Sequence, residues 1–143
     1  MVRQGLERWT GMTVFVDSSA FVALRYVDDP HYKTAKQIVS KLRLQDTQLV
    51  TSNFIIAESI TVISQKASHQ DAIEFYEQDL AAVEIVSISE ELEDKAFEIF
   101  KKLTSKNVSF VDCISFALMR EQKIKTTFTF DEHFRQQGFK VLK

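Results

Sequence analysis

Four acidic residues stand where a carboxylate needs more explanation than a solvated surface. Asp17 ends the β-branched and aromatic run Thr13-Val14-Phe15-Val16, and Asp131 follows Thr126 to Thr129 by two positions. Glu58 interrupts the apolar stretch Phe54-Ile55-Ile56-Ala57-Glu58-Ser59-Ile60, and Asp112 lies between Phe110-Val111 and Cys113-Ile114. Each has an ordinary alternative. Asp17, Asp112 and Asp131 are suited to capping the helices that follow them, and one ion pair to an arginine would satisfy Glu58. If the four converge, the chemistry changes. Carboxylates about 5 Å apart repel by roughly 3 kcal/mol per pair at an effective dielectric of about 20, so they stay ionised together only around a cation. A hard dication such as Mg²⁺ takes oxygen ligands and uses one or two protein carboxylates together with substrate phosphate, which suits hydrolysis of a phosphodiester.

Convergence depends on the elements that carry these residues. Thr13 to Val16 reads as a buried strand, ended by Asp17-Ser18-Ser19 as a helix cap, with a short helix over 20–26. Asp28-Asp29-Pro30 breaks that helix and starts the next, with Pro30 in its first turn and Ala35, Ile38, Val39 and Leu42 on one face to about Leu44. Gln48 to Thr51 reads as a second strand, and Ser52 or Asn53 as the cap of a helix along which Ile56, Ile60, Ile63 and Ala67 repeat at helical spacing. A helix over 71–83, a strand over 84–88, and an acidic helix start after Ser89, continued by Leu92, Ala96, Ile99 and Leu103, come next. Phe110-Val111 opens a helix carrying Ile114 and Leu118, Thr126 to Thr129 is a strand, and 139–142 is a short last one. Strands alternating with helices predict an α/β fold with a mainly parallel sheet. In such a sheet ligands bind at the carboxyl ends of the strands, where Asp17 and Asp131 fall.

Composition removes many other chemistries. Among 143 residues there are 3 glycines, at positions 5, 11 and 138. A phosphate-binding P-loop, a dinucleotide-binding glycine motif and a glycine-flanked nucleophile elbow are therefore excluded. The single cysteine, Cys113, excludes an internal disulfide and a thiolate zinc site, and its apolar neighbours make it core packing. A reducing, cytoplasmic setting fits. No apolar run approaches the roughly 18 to 20 residues that span a bilayer, so no membrane association is expected. Lys+Arg number 18 against Asp+Glu 20, so any surface for a polyanion is local; setting the four acids aside leaves 18 against 16. Arg25, Lys33, Arg120, Lys123, Lys125 and Arg135 are candidates for holding a nucleic-acid backbone, although a solvated helix face explains each. One of the twelve phenylalanines could stack on an unpaired base if exposed near the acids. His133 fits a cap or surface group better than a general acid, and His31 and His69 have less reason to act. Residues 1–11 are expected to be a poorly ordered extension, and 12–143 to form the domain.

The segments Phe15-Val16-Asp17-Ser18-Ser19-Ala20, Thr51-Ser52-Asn53 leading to Ala57-Glu58, Ser109 to Ala117, and Thr127-Phe128-Thr129-Phe130-Asp131-Glu132-His133-Phe134 resemble the PIN-domain ribonucleases, within them the VapC-type toxins. The likeness covers about Thr13 to Leu142. It implies a PIN-like, Rossmann-like three-layer sandwich and a metal-dependent endoribonuclease that is the toxin of a type II toxin–antitoxin pair. It also implies Asp17, Glu58, Asp112 and Asp131 as catalytic, Mg²⁺- or Mn²⁺-binding residues, with Ser18 and Thr127 as supporting polar groups. RNA substrate, a small antitoxin protein and a homodimer are the partners it implies. A phosphoacceptor receiver domain is excluded because Ser18-Ser19 follow Asp17 where a second acid is needed, and a D-x-D phosphatase because Ser19 stands two after Asp17. The remaining alternative is a PIN-like module that binds RNA or a partner without cutting.

Overall fold

A computed structural model describes residues 12–143, so the expected extension over 1–11 lies outside the described residues. Strand β1 (Thr13–Val16) forms because its β-branched and aromatic side chains suit a strand covered on both faces, and Val14, Phe15 and Val16 are buried. Helices α1 (Ser18–Arg25) and α2 (Tyr32–Leu44) lead to β2 (Gln48–Ser52), and α3 (Asn53–Lys66), α4 (His69–Glu77) and a 3-10 turn (Asp79–Ala82) lead to β3 (Val83–Val86). Then come α5 (Glu90–Lys102), α6 (Phe110–Glu121), β4 (Thr126–Phe128), α7 (Glu132–Gln136) and β5 (Lys140–Val141). All the described strand pairs are parallel, in the order β3-β2-β1-β4-β5.

The chain steps from β1 outward to β2 and β3, then crosses back to β4 and outward to β5. Right-handed crossovers place helices of the two halves on opposite faces. The packing agrees: α1 lies against α2 and α3, and α3 against α4, while α5 packs on α6. This is the three-layer α/β sandwich expected. Its central sheet is wholly parallel among the described residues, and no helix among them is long and apolar enough to cross a membrane.

Local differences from the expected elements have identifiable causes. Pro30 stands in the turn before α2, not in its first turn, because Asp29 closes that turn by accepting the His31 N–H on its side chain at 2.8 Å and the Tyr32 N–H on its carbonyl at 3.0 Å. The helix expected over 71–83 starts earlier, where the Ser68 hydroxyl accepts the Asp71 N–H at 2.9 Å, and it ends at Glu77. Helix α3 buries Ile55, Ile56, Ser59 and Ile63, so Ile60 and Ala67 of the expected stripe lie at its margin. Helix α6 is the most enclosed, with Cys113 to Met119 all buried. Burial pushes the Cys113 thiol up to about 11, consistent with packing and not nucleophilicity. Gly138, at φ +94°, ends α7 and turns the chain into β5.

Candidate active site

The sheet order reverses its direction of growth between β1 and β4, and it is at the carboxyl ends of such a switch point that open α/β sheets bind their ligands. Asp17 follows β1 directly, and Asp131 follows β4 across a two-residue link. Ser52 closes β2 and caps α3 by accepting the Ile55 N–H at 3.2 Å, which launches the helix that carries Glu58. The N-terminus of α6 supplies Asp112 from the other helical layer.

Asp17 occupies the N-cap of α1 but turns its carboxylate elsewhere. Its Oδ2 accepts the Thr129 hydroxyl at 2.8 Å and the Ser19 hydroxyl at 2.9 Å, and the residue is 4% exposed. Those hydroxyls in turn accept backbone N–H groups, Thr129 from Asp131 at 3.0 Å and Ser19 from Phe130 at 2.9 Å. The loop after β4 is thus tied to the acid after β1. Burial raises Asp17 to about 6, with Asp112 adding to the rise and the two hydroxyls opposing it. A cap would have little reason to be so perturbed.

The other three acids are each held differently. Glu58 accepts the Ser18 hydroxyl, so Ser18 links α1 to α3. Asp112 forms a capping box with Ser109: its carboxylate accepts the Ser109 N–H at 2.9 Å while the Ser109 hydroxyl accepts the Asp112 N–H at 3.0 Å. Asp131 caps α7 by accepting the His133 N–H at 2.9 Å, and the same oxygen lies 2.7 Å from His133 Nδ1. The capping role foreseen for Asp112 and Asp131 is therefore real, and it coexists with their convergence. Asp112 is raised first by burial and then by the charges of Asp131 and Glu58, so it feels all three neighbours when Asp17 is included.

The tightest group is Asp112, Asp131 and His133, whose ligand atoms lie within 4.8 Å of one another. Two carboxylates beside an imidazole, with Asp17 and Glu58 coupled to them through Asp112, fit a hard dication bound mainly through oxygen. His133 is the member that sequence reasoning set aside; the signal was its place two residues after a strand-end acid. Thr127 is placed differently from the expected supporting role. Its hydroxyl donates to Phe15 O at 2.9 Å and stitches β4 to β1, as Thr51 stitches β2 to Val16 O at 2.8 Å. The hydroxyls that touch Asp17 are those of Ser19 and Thr129. Their sequence signal was a hydroxyl two residues from an acid on each strand end, Asp17-x-Ser19 and Thr129-x-Asp131.

Among the basic candidates, Arg25 is committed to Glu74 and Asp79 at 2.8 Å and to Asp71 at 3.5 Å, and Arg135 pairs with Glu132. Arg120 donates to the Gln137 side chain at 2.7 Å.

A family model described as PIN domain matches residues 14–140, from β1 to β5, and so spans all four acids. The chain belongs to the PIN-domain family. Over 127 residues, 88% of this PIN-domain chain and 95% of the relative, it is 30% identical to the 23S rRNA-specific endonuclease VapC20 of Mycobacterium tuberculosis. It is also 26% identical over 125 residues to a VapC ribonuclease of Archaeoglobus fulgidus, covering 86% of this chain and 80% of that one. The crystal structure of VapC20, a sarcin-ricin loop cleaving toxin, matches with a TM-score of 0.81 at 28% identity, covering 88% of this chain and 95% of that one. VapBC2 from Rickettsia felis bound to a promoter DNA fragment shares the PIN fold at a TM-score of 0.66 and 13% identity, over 92% and 98% of the two chains. Within the family the chain falls with the VapC-type ribonuclease toxins.

Proposed function

We propose that this PIN domain is a Mg²⁺- or Mn²⁺-dependent endoribonuclease that hydrolyses RNA phosphodiester bonds as the toxin of a type II toxin–antitoxin pair. The observation that carries the reading is Asp17, a carboxylate buried at the switch point of a parallel sheet and pressed by a second acid, yet not used to cap its helix. Asp112 and Asp131 with His133 would hold the ion, with Asp17 and Glu58 completing the negative field around it. A hard dication bound there supplies charge neutralisation toward the phosphate oxygens and makes water more acidic.

The chain's own residues do the rest. Ser19 and Thr129 keep Asp17 oriented and favour its ionised form through two donated hydrogen bonds. His133 Nδ1 fixes the Asp131 carboxylate, and the capping box fixes that of Asp112, so both oxygens are preorganised before substrate arrives. Glu58, steadied by Ser18, is the ligand or the group that orients the attacking water.

The similarity to a 23S rRNA endonuclease makes a ribosomal RNA loop the first substrate to test. The similarity to a VapBC complex makes a small antitoxin the expected partner, and homodimerisation in the cytoplasm completes the reading. The experiment is cleavage of structured RNA in vitro. EDTA should stop it, Mn²⁺ should restore it, and Asp17→Asn should lower it at least about a hundredfold. Equal cleavage by the Asp17→Asn preparation would assign the activity to a contaminant and end the proposal.

A further inference from the structure

One aromatic pair at this end of the sheet is left unused by the acids. Phe130 sits between Thr129 and Asp131, the two residues that tie the β4 loop to the site. Its N–H is held by Ser19 Oγ at 2.9 Å, and its ring meets Phe128 edge-on at 6.0 Å. On it lies the imidazole of His31, from the turn between α1 and α2, with ring centroids 4.3 Å apart and planes only 6° from parallel. His31 is exposed and its backbone is fixed on both sides: its N–H donates to Asp29 Oδ1 at 2.8 Å, and its carbonyl accepts the Ala35 N–H at 2.8 Å.

We propose that His31, backed by Phe130, is a stacking platform that holds an unpaired nucleobase of the RNA next to the cleavage site; this rests on the ribonuclease reading above. An aromatic ring whose backbone is already tied and which already lies on a second ring gives up little conformational freedom when a base joins the stack. Every base offers a π-face, so such a ring contributes binding without reading hydrogen-bond edges. It accepts only a base that is out of a helix, which directs cleavage to loops and bulges and not to paired stems. Phe130 directly precedes Asp131, so the stack stands on the loop that carries one of the site acids. A purely structural staple would also stack His31 on Phe130, and it is this reading that the test must separate.

The test uses one RNA hairpin with 2-aminopurine in its loop, a base whose fluorescence falls on stacking, and three proteins: wild type, His31→Ala and His31→Phe. Cleavage is measured with Mn²⁺ and binding fluorescence in EDTA. His31→Ala should raise KM at least about fivefold with kcat within about threefold, and should lose most of the quenching. His31→Phe, which keeps the ring and discards the imidazole nitrogens, should restore both. If His31→Ala changes only the melting temperature, or if His31→Phe fails as badly as His31→Ala, the platform is wrong. If the wild type quenches but never cleaves, the ribonuclease reading fails and the platform stands. If it cleaves without quenching, the reverse holds.

Discussion

Removing the charge of Asp17 should stabilise the metal-free protein, and the size of the effect follows from its surroundings. Asp17 is 4% exposed and its carboxyl is raised from 3.8 to about 6, chiefly by burial. The folded state therefore binds this proton more tightly than the unfolded state, and the ionised carboxylate is a cost to folding. That cost is absent below pH 3.8, grows as pH rises through the window up to about 6, and is complete above it. A difference of about two pKa units corresponds to roughly 3 kcal/mol, the upper bound for the gain from Asp17→Asn at neutral pH. The amide oxygen of the introduced asparagine can still accept the Ser19 and Thr129 hydroxyls, so the replacement keeps the shape and most of the hydrogen bonding. For a domain of this size each kcal/mol shifts the melting temperature by about 3 to 5 °C, so a rise of up to roughly 15 °C is expected. The assay is thermal unfolding of both proteins in EDTA from about pH 4 to about pH 7.5, where the gap should open with rising pH and be nearly closed at the acid end. Added Mg²⁺ should then narrow the gap at neutral pH, because an ion that binds only the folded state stabilises wild type by mass action. A gap that is constant with pH, or an Asp17→Asn protein less stable at neutral pH, would refute the argument.

Three further outcomes follow from the same geometry. Thr129→Val removes one of the two hydroxyls that hold the Asp17 carboxylate, so Asp17 should titrate higher still, and the variant's melting temperature in EDTA should fall more steeply than wild type as pH rises from about 4 to about 7.5. Asp112→Asn should lower cleavage at least about a hundredfold yet change the metal-free melting temperature by only a few degrees, since relief of crowding by Asp131 and Glu58 is offset by a weakened capping box worth about 1 kcal/mol. Cys113, buried in α6 with its thiol pushed up to about 11, should resist alkylation at mildly alkaline pH until the protein is unfolded; rapid labelling of native protein would show that α6 opens.

Much of this protein was legible in its sequence because the relevant signals are local. The run Thr13-Val14-Phe15-Val16 has the composition of a covered strand, and the helical spacing of Ala35, Ile38 and Leu42 marks the face that α2 buries. Asp17, Glu58, Asp112 and Asp131 stood out because each interrupts or ends an apolar run, and a carboxylate in that position needs a reason within a few residues of itself. The partners of those acids were not legible. Thr129 reaches Asp17 across 112 residues and Ser18 reaches Glu58 across 40, so their pairing exists only once β4 lies beside β1 and α3 crosses α1. The same holds for Thr127, whose hydroxyl is drawn to a neighbouring strand's carbonyl, and for Arg25, which three acids from α4 and the 3-10 turn claim. The place of His133 beside Asp112 and Asp131, the stacking of His31 on Phe130 and the raised carboxyl of Asp17 were likewise decided in three dimensions. Periodicity in a chain specifies which face of an element is buried, whereas hydrogen-bond partners and the desolvation of a charge depend on what the other elements bring to that face.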